Sequence, residues 1–225
     1  MAGEPPRSRV RGLRGPPDRV APFPVNLLEA ALRHAAEALG ASGLRWAVVG
    51  GLAVSARAEP RTTRDVDIAV AVSGDAEAES LLYRLQGIGF SVVSVVEQTA
   101  RGRLATARLR PSAPGAGGIV VDLLFASSGI EPELVNAAEE IALVPGLSVP
   151  VARTGHLLAL KALARNDRDR PQDLDDIRAL LRESSSADVD EARESVRLIE
   201  ERGFARGRKL SDELEAILRQ ELPRS

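Results

Sequence analysis

Asp65 and Asp67 are separated by one residue and follow a Gly50-Gly51 pair by fourteen positions. The flanking runs, Trp46-Ala47-Val48-Val49 and Val66 to Val70, read as strands. Alternate side chains of a strand point the same way, so the two carboxylates share a face about 7 Å apart. Arg61 and Thr63 join that face if the strand extends back to Arg61, while Val66, Ile68 and Val70 point into a core. Carboxylates so placed can converge on one or two cations, and without a cation they raise each other's pKa. Mg²⁺ favours oxygen ligands and joins one or two carboxylates to substrate phosphates, with Mn²⁺ as an alternative ion. Gly50 and Gly51 allow backbone N–H groups close to a phosphate, and a helix starting there adds a favourable field. Ser55 stands one turn into that helix. Metal-dependent nucleotidyl transfer from an NTP needs this combination.

A third carboxylate, Asp122, lies in the apolar run Ile119-Val120-Val121-Asp122-Leu123-Leu124-Phe125. A charge inside a buried strand is costly unless compensated, which points to function. In such transfers the metal aligns the α-phosphate and lowers the pKa of the attacking hydroxyl, and a third carboxylate serves as base or further ligand. A Gly-Gly pair alone is compatible with a strand-to-helix turn, and an Asp-x-Asp alone with surface decoration. Their combination with Asp122 favours a site.

The elements that must position these residues follow from periodicity and breakers. Helices are expected over 27–39, 52–58, 75–87 and 131–138. Strands are expected over 46–49, 64–72, 90–96, 103–109 and 119–125, with a hairpin over 141–151 around Pro145-Gly146. After Val151 the pattern becomes helical, over 154–165, 171–182, 188–201 and 211–222, with Thr154 and Ser211 as expected N-caps. Residues 1–22, with Arg7, Arg9, Arg11, Arg14 and Arg19 among Pro and Gly, read as a disordered basic tail. The expected organisation is therefore an α/β (α+β) catalytic domain over 23–150 and a helical domain over 151–225.

Bulk properties are those of an ordinary globular chain: 225 residues, 44% hydrophobic and 28% charged. Aromatics are only 3%, so Ala, Val, Leu and Ile must build the core. A net charge of -2 gives no global pull toward polyanions, so any such site must be local. The absence of Cys excludes disulfides and thiolate metal sites and suits the cytoplasm. No apolar run approaches the ~20 residues of a membrane span, and the Arg-rich start lacks the apolar stretch of a secretory signal.

The run Val49-Gly50-Gly51-Leu52-Ala53, then Arg61-x-Thr63-x-Asp65-x-Asp67-Ile68, resembles the nucleotidyltransferase superfamily of the DNA polymerase β type. Within it the chain is most similar to the AbiEii-like nucleotidyltransferase toxins of abortive-infection and toxin–antitoxin systems. The resemblance takes in Asp122, the helix Leu157 to Arg165 with Lys161, and the downstream Asp173-x-x-Asp176-x-x-x-Leu180, over roughly residues 27–182. It implies a mixed sheet flanked by helices, followed by a C-terminal helical bundle. It also implies Mg²⁺ at Asp65, Asp67 and Asp122, and a triphosphate contact from Lys161. Many superfamily members carry Gly-Ser where this chain has Gly50-Gly51, so a phosphate-binding hydroxyl is missing here. The implied role is a toxin acting on tRNA and restrained by a cognate antitoxin.

Lys161 and Lys209 are the only lysines in a chain that otherwise uses Arg, and Lys161 sits among Leu157, Leu158, Leu160 and Ala164. A snorkelling surface lysine would look the same. Asp173 and Asp176 open a helix after Pro171 and stabilise its N-terminus whatever else they do; orienting Lys161 or Arg165 is a second role open to them. Arg64 faces away from the carboxylates if the strand is regular, which suits a structural role. Arg101, Arg103, Arg108 and Arg110 are compatible with a basic rim for an RNA acceptor or with a solvated strand face. His34 and His156 have no ligand spacing. Two rivals stand beside an RNA-modifying enzyme. A small-molecule, aminoglycoside-type nucleotidyltransferase predicts an acidic acceptor cleft, where an RNA modifier predicts a basic one. A catalytically inactive nucleotide-binding module predicts that Asp65, Asp67 and Asp122 do not converge.

Overall fold

Trp46–Val49, four apolar residues with no break, forms a short strand β1 whose last three side chains are buried. Gly50 ends it at φ +62, and the helix α2 (Gly50–Arg57) begins there, two residues earlier than expected. β2 (Asp65–Val70) returns antiparallel to β1 and pairs Val49 with Asp67. It starts at Asp65, so Arg61 and Thr63 belong to the preceding loop and not to the strand. The structure, a computed structural model, describes residues 27–98, 102–112, 114, 116, 118–166 and 172–222. The expected basic tail, Arg101 and Pro171 lie outside the described residues.

The remaining elements are α1 (Leu27–Gly40), α3 (Asp75–Gly87), β3 (Phe90–Gln98), β4 (Arg103–Pro111), β5 (Val120–Leu124), α4 (Glu131–Ala137), β6 (Glu139–Val144) and β7 (Leu147–Val151). Four helices follow: α5 (Thr154–Ala164), α6 (Gln172–Arg182), α7 (Ser186–Glu201) and α8 (Leu210–Glu221). The strands make one mixed sheet of seven, in the order β3-β4-β5-β2-β1-β7-β6. β5 lies parallel to β2 with Asp67 opposite Asp122, and β4 lies antiparallel to β5 with Arg108 opposite Asp122. Directly opposed residues share a sheet face, so Asp65, Asp67, Asp122 and Arg108 all project to one side.

The other side carries Val66, Ile68, Val121 and Leu123, all at most 1% exposed. Each such side chain contributes roughly 1.5–3 kcal/mol by burial. Helices α1 and α4 contact the strands that carry them, and α3 contacts β3 and β4 beside them. The buried cluster runs without a break from α1 through the sheet to Leu157, Ile177, Val196 and Leu214 of the last four helices. Those helices approach the open face through contacts of α2 with α5 and α6.

The expected caps at Thr154 and Ser211 are not formed. Arg153 and Lys209 occupy the N-cap positions without a side-chain bond, and the Ser211 hydroxyl donates to Glu200 instead (2.6 Å). The capping box is at α7, where Ser185 and Asp188 bond reciprocally.

Candidate active site

The open face of β4, β5 and β2 floors a cleft of about 1740 Å³ roofed by α5, the start of α6 and the turn before α8. A single small ligand ordinarily occupies a pocket of roughly 300–1,000 Å³, so this cleft has room for a nucleotide and part of an acceptor. Asp65, Asp67 and Asp122 all line it, as do Gly50, Gly51, Arg61, Thr63 and Lys161.

The Asp67 carboxyl is strongly perturbed. Burial raises it from the ordinary 3.8 to about 6, with further upward pressure from Asp122 and Asp65 and relief from Lys161 and the Gly51 N–H. Gly50 must be glycine: a Cβ there would stand 1.9 Å from the Asp67 Oδ2, at a positive φ. At Gly51 a Cβ would meet the Thr63 Oγ1 at 2.7 Å and the Arg61 Nη2 at 2.8 Å. The second glycine thus has a local cause, since Thr63 and Arg61 already fill the space a serine side chain would take. The Gly51 N–H donates to Asp67, so part of the expected phosphate cradle holds a carboxylate.

Asp122 does not lie free beside Asp67. Arg108 holds it through a two-bond fork, Nε to Oδ1 at 2.9 Å and Nη2 to Oδ2 at 2.8 Å. Among the described residues no three His, Cys, Asp or Glu side chains are arranged to hold a metal ion as they stand. Asp65 and Asp67 nevertheless fit a hard cation. They are oxygen donors on one strand face, and the burial-raised Asp67 carboxyl is the kind of group that a cation relieves. Asp122 would join them as a ligand only after leaving Arg108.

Lys161 reaches the cleft from α5. Its ammonium lies 2.9 Å from Asp173 and 2.7 Å from Asp176, and Asp176 also takes Arg61, Nε to Oδ1 at 2.6 Å and Nη2 to Oδ2 at 2.9 Å. The acidic pair at the start of α6 therefore holds two cations of the cleft, Lys161 and Arg61.

Ser55 is corrected. Its hydroxyl donates to the Gly51 and Arg61 carbonyls (3.0 and 3.3 Å) and accepts from the Arg61 N–H, and it does not line the cleft. It pins the loop that presents Arg61 and Thr63. Arg64, expected to be structural, lines the cleft and is exposed. The basic rim on β4 does not form as a unit: Arg103 pairs with Asp75 of α3 (2.8 Å), and Arg108 enters the site. Arg108 is the cleft residue whose contact with the carboxylates the sequence did not reveal. Its place beside the carboxylates emerges only through the β4–β5 register, which sets it opposite Asp122. His34 stacks on Phe90, and His156 is buried with its pKa lowered to about 4 by burial, then by Arg153; neither lines the cleft.

The family described as "Nucleotidyl transferase AbiEii toxin, Type IV TA system" matches the chain over residues 31–225. The chain belongs to this AbiEii family. It is a nucleotidyltransferase, and the AbiEii match extends beyond the sheet through all four C-terminal helices. No curated protein matches it. Among solved structures the chain is similar to an antigenic nucleotidyltransferase-like protein from Paracoccidioides brasiliensis (16% identity, 87% of this chain and 93% of that one, TM-score 0.48). It is also similar to the lincosamide antibiotic adenylyltransferase LnuA, lincomycin-bound (14%, 71% and 100%, TM-score 0.45). A third is ANT(2")-Ia in complex with adenylyl-2"-tobramycin (16%, 84% and 95%, TM-score 0.46).

Proposed function

We propose that this AbiEii protein transfers a nucleoside monophosphate from an NTP to a hydroxyl of RNA, with tRNA as the acceptor class, and releases pyrophosphate. The observation that carries the reading is the convergence of Asp65, Asp67 and Asp122 on the floor of one cleft, with Lys161 and Arg61 lining the same cleft. Asp65 and Asp67 would hold Mg²⁺, or Mn²⁺ in its place. The ion would supply charge stabilisation at the α-phosphate and acidify the acceptor hydroxyl. Gly50 and Gly51 let the backbone approach the triphosphate, and Lys161 and Arg61 offset its charge. Asp122 accepts the proton as the acceptor oxygen bonds to the α-phosphorus and the bond to the pyrophosphate oxygen breaks. Residues 23–150 would form the catalytic domain, and the helical domain, 151–225, would contribute Lys161.

The acceptor side supports RNA over a cationic antibiotic. Arg64, Arg165, Arg206 and Arg208 line the cleft beside Glu213 and Asp173, with Arg208 paired to Glu213 and bound to the Ala162 and Leu163 carbonyls. A polyanion gains from such a wall, whereas an aminoglycoside is repelled by it. The biological reading is a cytoplasmic toxin restrained by a cognate antitoxin. Among the described residues no helix is long and apolar enough to cross a membrane.

The test is incubation with each radiolabelled NTP, Mg²⁺ and total RNA. Labelled tRNA is expected, and Asp67→Ala should abolish it. Label on protein, or on neither, would overturn the RNA acceptor; labelling that survives Asp67→Ala would overturn the site.

A further inference from the structure

Arg108 stands where a cation is wanted. It projects from β4 directly opposite Asp122 and lines the cleft. Both its contacts to Asp122 are of hydrogen-bond length, and together they engage both carboxylate oxygens. Bidentate guanidinium–carboxylate pairs are among the stronger polar contacts and fix direction as well as charge. The Asp122 side chain is 11% exposed and that of Arg108 is 48% exposed. The carboxylate is therefore fixed in the wall, and the guanidinium sits on a long stem half in solvent. Arg108 also feels Asp65 and Asp67, so one guanidinium faces all three carboxylates. Lys161, the other cation near Asp67, is already held by Asp173 and Asp176.

We propose that Arg108 is an internal counter-cation that occupies Asp122 in the free protein and yields it when metal enters with nucleotide, so that it restrains metal binding to the empty cleft. This rests on the metal-site reading above. A guanidinium and a divalent ion compete for the same oxygens, and the guanidinium has no role left there once the ion's greater charge is in place. The free protein then keeps its acidic cluster together without metal, and Asp122 becomes available as ligand or base only in the loaded cleft. Arg108 is on this account a positioning residue, because it acts through Asp122.

The experiment measures Mn²⁺ binding to the full chain without nucleotide, by electron paramagnetic resonance of the free ion. Arg108→Gln removes the charge while keeping hydrogen-bonding atoms toward Asp122. It should bind Mn²⁺ on the order of five- to tenfold more tightly than the wild type, as expected for loss of one competing charge-assisted pair. Arg108→Lys should fall between the two. Adding Asp122→Asn should cost little in the wild type, where Asp122 is occupied, and should erase the gain in Arg108→Gln. Unchanged or weaker binding in a folded Arg108→Gln overturns the proposal, as does absence of binding in both proteins. Asp67→Ala separates the two readings. If it leaves Mn²⁺ binding intact, the metal site itself is wrong; if it abolishes binding while Arg108→Gln has no effect, only the counter-cation falls.

Discussion

Burial, reinforced by the neighbouring Asp122, holds the Asp67 carboxyl at about 6 in the metal-free protein. Between about pH 4 and 6 the folded chain therefore keeps a proton that the unfolded chain has lost. The associated stability is full below about pH 4 and declines as pH rises through about 6. Asp67→Asn removes this penalty. In chelator it should be more stable than the wild type at about pH 8, by about 1–3 kcal/mol, and nearly equal to it at about pH 4. Urea denaturation across that range checks it, and parallel pH profiles for the two proteins would refute it. The same residue is legible from the Asp-x-Asp spacing, because strand alternation is a local rule. Its charge state is not, since it depends on Asp122, Lys161 and the Gly51 N–H, which other elements deliver.

Elements with an uninterrupted period are readable almost to the residue: β1 over 46–49 and α3 over 75–87 need only their own side chains and the breakers beside them. Contacts between elements are not. Arg108 reads as one member of an arginine-rich strand until the β4–β5 register sets it against Asp122. Glu131 carries no functional signal in the sequence, yet it is 2% exposed. It accepts from the N–H groups of Ser127, Ser128 and Gly129 at 2.8–2.9 Å and from both serine hydroxyls. This fixes the turn between β5 and α4, whose Ser127 and Ser128 line the cleft just beyond Asp122's strand. Glu131→Ala leaves several buried donors unpaired and should destabilise the fold by about 3–5 kcal/mol, with Glu131→Gln costing clearly less. Chemical denaturation of both variants tests this; an equal, small loss in each would mean that the turn holds itself.

At the scale of the molecule, the sheet and helical walls of the cleft share one continuous core, and polar ties supplement it. Arg57 of α2 donates to the Val151 and Ala152 carbonyls and pairs with Glu139, tying α2 to the end of β7. The second tie is Asp176. It is 2% exposed, and it joins Arg61, from the loop before β2, to Lys161 of α5. Two positive charges on one buried carboxylate make a unit whose parts depend on one another. Asp176→Ala leaves both cations without that partner and should lower stability by about 3–5 kcal/mol. If the tie also sets the distance between the walls, the loss should reach catalysis. Lys161 and Arg61 would no longer be directed at the triphosphate, and kcat/KM for NTP should fall at least on the order of tenfold, mostly through KM. A double-mutant cycle with Arg61→Ala separates a shared unit from two local defects. Coupling of about 1–3 kcal/mol is expected for the pair, and strictly additive losses in both stability and kcat/KM would show that the walls are set independently.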